Sequence, residues 1–104
     1  MKKIKIKILE MKTNQYLANQ YLGKDVEPCP YFNEGQEYII TNFDKPEGFC
    51  PWAWQDIFYM VHTLWNGGSF RNWYLEDGVV IGNCTDGIRP VTFLIERIVI
   101  ENKT

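Results

Sequence analysis

From Lys2 to Met11 the chain alternates charge with branched aliphatics: Lys3, Ile4, Lys5, Ile6, Lys7, Ile8. This is the period-two pattern of a strand with one buried face and one wet face. The lysines suit the solvated side of an edge strand, where charge discourages pairing with another chain. Thr13 is placed to cap a short helix through Leu22, with Leu17 and Tyr21 on one face and Gly23 as the stop. Residues 24–35 read as loop, because Pro28 and Pro30 bracket Cys29 and neither can donate a ladder hydrogen bond. Glu37 to Thr41 is β-branched and aromatic enough for a second strand, followed by a loop from Asn42 to Phe49.

The longest element comes next. Cys50 sits at an N-cap-like position, Pro51 suits the first helical residue, and Gly67-Gly68 end the run. Ala53, Ile57, Met60, Val61 and Leu64 form an apolar stripe that Trp54, Phe58 and Trp65 widen. Gln55, Tyr59, His62 and Asn66 line the opposite side. Such a broad arc exceeds what one sheet face needs, so either the helix is nearly engulfed or part of it meets a second subunit, making a homo-oligomer. Ser69 to Asp77 is an irregular connection carrying Phe70, Trp73 and Tyr74.

The last third reads as a hairpin: Val79–Cys84, a turn at Asp86-Gly87, then Arg89–Ile100. Asp-Gly is a strong hairpin signal, since both residues tolerate the positive φ of a type I′ turn. A two-residue loop pairs Cys84 with Arg89. Cys84, Gly82 and Val80 then share the core-side face with Arg89, Val91, Phe93 and Ile95. The expected fold is α+β, a single domain over residues 1–104, with a mainly antiparallel sheet, one long and one short helix, and the order β-α-β-α-β-β.

Composition narrows the class. A chain of 104 residues builds one modest core, and 45% hydrophobic with 15% aromatic residues argues against disorder. The net charge of −2, with mixed signs, gives no footprint for nucleic acid. Lysines interrupt the apolar residues at the start, so no signal peptide is expected, and no run is long enough to span a bilayer. The expected setting is cytoplasmic, where thiols stay reduced, and three cysteines do not make a closed disulfide framework.

Each cysteine stands in its own punctuated segment: Pro28-Cys29-Pro30, Phe49-Cys50-Pro51-Trp52 and Cys84-Thr85-Asp86-Gly87. Cys84, opposite Arg89, and Cys50, at a helix start, each have a reason to favour thiolate. The plainer readings are a rim cysteine beside a solvated arginine and a helix-start residue under Phe49 and Trp52. His62 is the sole histidine. Twelve residues of helix put it about 18 Å from Cys50, which excludes a dyad between those two. There is no Cys-x-x-Cys pair, Gly-rich phosphate loop or metalloprotease helix. Asp56 is expected to favour the helix start.

Taken together, three stretches resemble a family of small uncharacterised prokaryotic proteins. They are Cys29-Pro30 with Phe32, then Gly48-Phe49-Cys50 with Trp52-Ala53-Trp54, and Cys84-Thr85-Asp86-Gly87 with Arg89-Pro90-Val91. The resemblance implies a stand-alone domain whose pattern includes all three cysteine motifs, and supplies no established reaction.

Three functions follow. In the first, Cys29, Cys50 and Cys84 converge on a metal such as zinc or iron, or on an iron–sulfur cluster. A fourth position is then open to His62, a carboxylate, water or a partner's ligand. Intervals of 21 and 34 residues lack the short chelating pair of most structural sites. In the second, the chain is a non-catalytic small-molecule or protein-binding module. Its aromatic half, including Trp52, Trp54, Phe58, Trp65 and Trp73, walls a pocket or interface. In the third it is a thiol-dependent redox enzyme, with Cys50 as nucleophile and another cysteine resolving.

Overall fold

The computed structural model describes residues 2–99. Its elements are β1 (Lys2–Met11), α1 (Gln15–Tyr21), β2 (Glu37–Ile40), α2 (Pro51–Trp65), β3 (Val79–Asn83) and β4 (Val91–Val99). The α+β class and the order β-α-β-α-β-β are as the sequence predicts. The end of the expected last strand, Ile100, lies outside the described residues.

The four strands form one antiparallel sheet in the order β2-β1-β4-β3. β1 is therefore an interior strand and not an edge. Alternation reports which face a residue occupies, not how many neighbours its strand has. The lysines lie on the face away from α2, where Lys5 meets Glu96 at 3.1 Å and Glu37 at 3.8 Å. Such half-exposed pairs contribute little. β3 is an edge, and Tyr74 closes part of it: its hydroxyl accepts from Ile81 N–H (3.1 Å) and faces Ile81 O (3.4 Å). A side chain thus occupies backbone groups that would otherwise template another strand.

The other face carries the core. Ile4, Ile6 and Ile8 of β1, Ile40 of β2, Val80 of β3, and Val91, Phe93 and Ile95 of β4 are buried beneath Ala53, Ile57, Val61 and Leu64 of α2. Met60, expected in the stripe, is only partly buried, while Gln55, Tyr59, His62 and Asn66 are exposed as predicted. Gly82 permits the close approach of α2 to β3: a Cβ there would stand 2.8 Å from Met60 Sδ and 3.1 Å from Ile57 Cγ2. Helix α2 ends in a Schellman motif, with Gly68 N–H donating to Thr63 O and Gly67, at φ +85°, donating to Leu64 O. Arg97 of β4 adds bonds to Leu64 O (2.8 Å) and Gly68 O (2.9 Å), placing positive charge at the negative helix end.

Two local expectations change. The cap of α1 is Asn14 and not Thr13, because Asn14 Oδ1 accepts from Leu17 N–H. Its buried residue is Ala18, and Tyr21 is exposed. The hairpin is also wider than a two-residue loop. Asn83 pairs with Thr92, and Cys84 N–H donates to Val91 O (3.0 Å), so Cys84 stands opposite Val91 and not Arg89. Neither Asp86 nor Gly87 has positive φ, so the type I′ turn does not form. Asp86 Oδ1 instead accepts from the N–H groups of Ile88 (2.9 Å) and Arg89 (3.1 Å), an Asx-type turn that opens the loop. The slip is two residues, which preserves the face of every side chain.

No helix among the described residues is long and apolar enough to cross a membrane. Gly82→Ala is expected to lower stability by about 1–3 kcal/mol through overpacking against α2. Gly87→Ala, whose Cβ meets nothing within 4 Å, is expected to stay within about 0.5 kcal/mol. Urea denaturation of both variants checks this, and equal midpoints would refute the tight α2–β3 approach.

Candidate functional site

Each cysteine-bearing segment is pinned by a phenylalanine. Phe32, three residues after Cys29, is buried and packs on Phe49 (centroids 4.9 Å apart) and Phe93 (5.5 Å). Phe49, immediately before Cys50, lies 5.6 Å from Phe93 and 5.0 Å from Tyr38. Phe93 is opposite Gly82 on β3, two residues before Cys84. Mostly tilted or edge-on packing of this kind adds to the area buried. Three segments distant in sequence are thereby drawn to one end of the core.

The result is a single cavity of about 270 Å³ lined by Cys29, Cys50 and Cys84. Trp52, Asp86 and Arg89 line it too, so these six sequence-predicted residues come together. The walls are completed largely by Tyr31, Phe32, Ala53 and Val91. All three cysteines are free thiols of intermediate burial. Cys50 is the N-cap of α2 in an extended conformation and makes no side-chain capping bond, which leaves its sulfur to the cavity. Cys84 Sγ accepts from Val91 N–H at 3.3 Å. Arg89 lies by the cysteines through the loop, not as the cross-strand partner of Cys84; its Nε is 3.9 Å from Asp86 Oδ2.

Burial pushes the Cys29 thiol up from its ordinary value. The Tyr31 backbone N–H opposes that rise, while negative charge at Cys50, Cys84 and Asp86 adds to it. Among the described residues, no group of three or more His, Cys, Asp or Glu side chains is arranged to hold a metal ion.

Two predicted residues lie elsewhere. Trp54 packs edge-on against Phe49 and Phe58. His62 stacks on Phe43 at 5.1 Å, with its Nδ1 3.4 Å from Asn66 Nδ2, and is not on the cavity wall.

Asp56 was expected to serve the helix start. Its carboxylate instead takes Thr85 N–H (2.7 Å) and the Thr85 hydroxyl (3.0 Å), while Trp52 Nε1 donates to Thr85 Oγ1 (2.5 Å). This network ties the loop after Cys84 to the first two turns of α2. Its members belong to the stretches Trp52–Asp56 and Cys84–Gly87, but their pairing depends on a contact 29 residues apart. Another depression, about 360 Å³, lies within Ser69–Asp77 and contains no cysteine.

No family model, curated protein or solved structure matches the chain.

Thr85→Val removes the hydroxyl between Trp52 and Asp56 and is expected to cost about 1 kcal/mol. Urea denaturation followed by tryptophan fluorescence measures it; an unchanged midpoint would show that the clasp contributes nothing. A second expectation concerns titration. Because its pKa is raised, Cys29 holds its proton more tightly when folded. Its contribution to stability is full below the ordinary thiol range and is lost as pH rises through the raised value. Site-resolved alkylation across pH should place the Cys29 profile above that of an unstructured cysteine peptide; coincident profiles would contradict it.

Proposed function

We propose that the cavity binds a thiophilic inorganic centre through Cys29, Cys50 and Cys84, and that this centre is an iron–sulfur cluster. The observation that carries the reading is the convergence of all three cysteines, from three separate segments, on one cavity.

A cluster asks less of the spacing of the three sulfurs than a single ion does. Zinc bonded to sulfur at about 2.3 Å in tetrahedral geometry requires its thiolates within about 4 Å of one another. No group of side chains among the described residues is so arranged. In a cluster, inorganic sulfides bridge the irons and each thiolate binds a different iron, so the protein sulfurs stand further apart. The volume of about 270 Å³ is the share of roughly nine waters, ample for such a core. The Val91 N–H on Cys84 Sγ is the kind of amide–sulfur bond that steadies a ligating thiolate. Arg89 supplies positive charge beside the anionic assembly. Each thiol must lose its proton to ligate, so occupancy falls with falling pH.

A second reading draws on the wall composition. Tyr31, Phe32, Trp52 and Val91 form an apolar lining suited to a small organic molecule oriented by Arg89.

Anaerobic purification without a metal-affinity tag, followed by iron, zinc, labile-sulfide and visible-absorption measurements, tests the proposal. Iron and sulfide in near-equal amounts are expected. Each of Cys29→Ser, Cys50→Ser and Cys84→Ser should lose at least half of both. A folded, colourless, metal-free protein overturns the reading and leaves the organic ligand. Zinc without sulfide overturns the cluster alone.

A further inference from the structure

The connection between α2 and β3 carries its own depression, about 360 Å³ in volume, lined by Ser69, Phe70, Arg71, Asn72, Trp73 and Asp77. It follows the C-terminal end of α2, whereas Cys50 caps the N-terminal end, so it is a site separate from the cysteine cavity. We propose that this depression binds the ring of an uncharged pyranose sugar, with Trp73 as the stacking platform. The proposal does not depend on the cluster reading.

The platform is presented to solvent on a held segment. Trp73 is 80% exposed, an unusual state for a residue type that is mostly buried on average. One face of its ring stacks on Phe70, with centroids 6.1 Å apart and planes 22° apart, which leaves the other face outward. The N–H groups of Trp73 (2.9 Å) and Tyr74 (3.2 Å) both donate to Phe70 O and curl the segment into a turn. Tyr74 ties that turn to the edge of β3 through Ile81 N–H, and Asp77 meets Arg97 of β4 at 3.5 Å. A ring positioned in this way has little freedom left to lose when a ligand binds.

The groups around the platform select the ligand class. Ser69 and Asn72 offer both donors and acceptors, Arg71 only donors, and ionised Asp77 only acceptors. Hydrogen bonding from Ser69 and the charge of Arg97 hold the Asp77 carboxyl below its ordinary value, so it is an acceptor at neutral pH. Arg71 and Asp77 offset one another on the wall, which gives neither an anion nor a cation a clear advantage. A fully apolar ligand would leave these polar groups unpaired.

What fits is an uncharged molecule with one apolar face and a polar edge. A pyranose chair has that form. Its axial C–H bonds make a face that packs on an aromatic ring. Its neighbouring hydroxyls form pairs that a carboxylate, amide or guanidinium can engage with two atoms at once. The volume lies at the small end of ligand pockets, suited to a single sugar ring. A nucleobase also has a flat face, so nucleosides are the competing class.

The test is saturation-transfer NMR of the full chain with the methyl glycosides of glucose, mannose, galactose and N-acetylglucosamine, and with adenosine and uridine. At least one glycoside is expected to bind in the millimolar range, with the strongest transfer to the C–H protons of one ring face. Trp73→Ala should weaken that binding about tenfold. Trp73→Phe should recover part of the loss, and Asn72→Ala should weaken binding by loss of its amide. Both side chains are exposed, so the variants are expected to fold, which circular dichroism verifies. No transfer to any of the glycosides at tens of millimolar overturns the proposal. So does glycoside affinity that is unchanged in Trp73→Ala, or binding of a nucleoside alone.

Discussion

The contact among Phe32, Phe49 and Phe93 is the constraint on which the rest of the site depends. Each ring is buried, and each comes from a different part of the chain. Phe93 is fixed first by its place in the sheet, between Val91 and Ile95 on the face beneath α2. Phe49 and Phe32 then bring in two loops that have few backbone bonds of their own. Removing a buried ring of this kind typically costs about 3–5 kcal/mol, and here the loss would also release both loops. Convergence of the cysteines is thus a consequence of hydrophobic packing and not of attraction between sulfurs.

Packing alone does not orient the third segment. The loop from Thr85 to Pro90 is held by polar groups: Asp56 and Trp52 on Thr85 from one side, and Asp86 on its own following amides from the other. The bonds to Thr85 are exposed and those to Asp86 partly buried, and each contributes modestly. Their value lies in direction, since they fix where Cys84, Asp86 and Arg89 stand relative to the start of α2. The cavity is thus walled by packed rings where it meets the core and held by polar contacts at its rim.

Much of the fold was legible in side-chain periodicity. The alternation in β1, the helical stripe of α2 and the breaks at Gly23 and Gly67-Gly68 locate elements because burial is decided locally, by which face a residue occupies. Sheet order was not legible in the same way. The lysines of β1 suggested an edge, yet the strand lies between β2 and β4 with its charges on the open face. The hairpin register failed for a related reason. The Asp86 side chain competes with the type I′ turn by capping the next amides, and a dipeptide rule does not weigh that competition. The predicted faces survived because the error was an even number of residues.

For the site, sequence by itself determined the chemical inventory: three thiols in turn-forming segments, a lone histidine far along a helix, and an Asp–Arg loop beside Cys84. Those follow from residue identity and from distances measured along one element. Only the tertiary structure decided which of these groups meet. It brought Cys29, Cys50, Cys84, Trp52, Asp86 and Arg89 to one cavity, left Trp54 and His62 outside it, and gave Asp56 to Thr85. The physical reason is that residues more than 20 positions apart are joined by core packing and long-range hydrogen bonds, which carry no periodic signal in the chain.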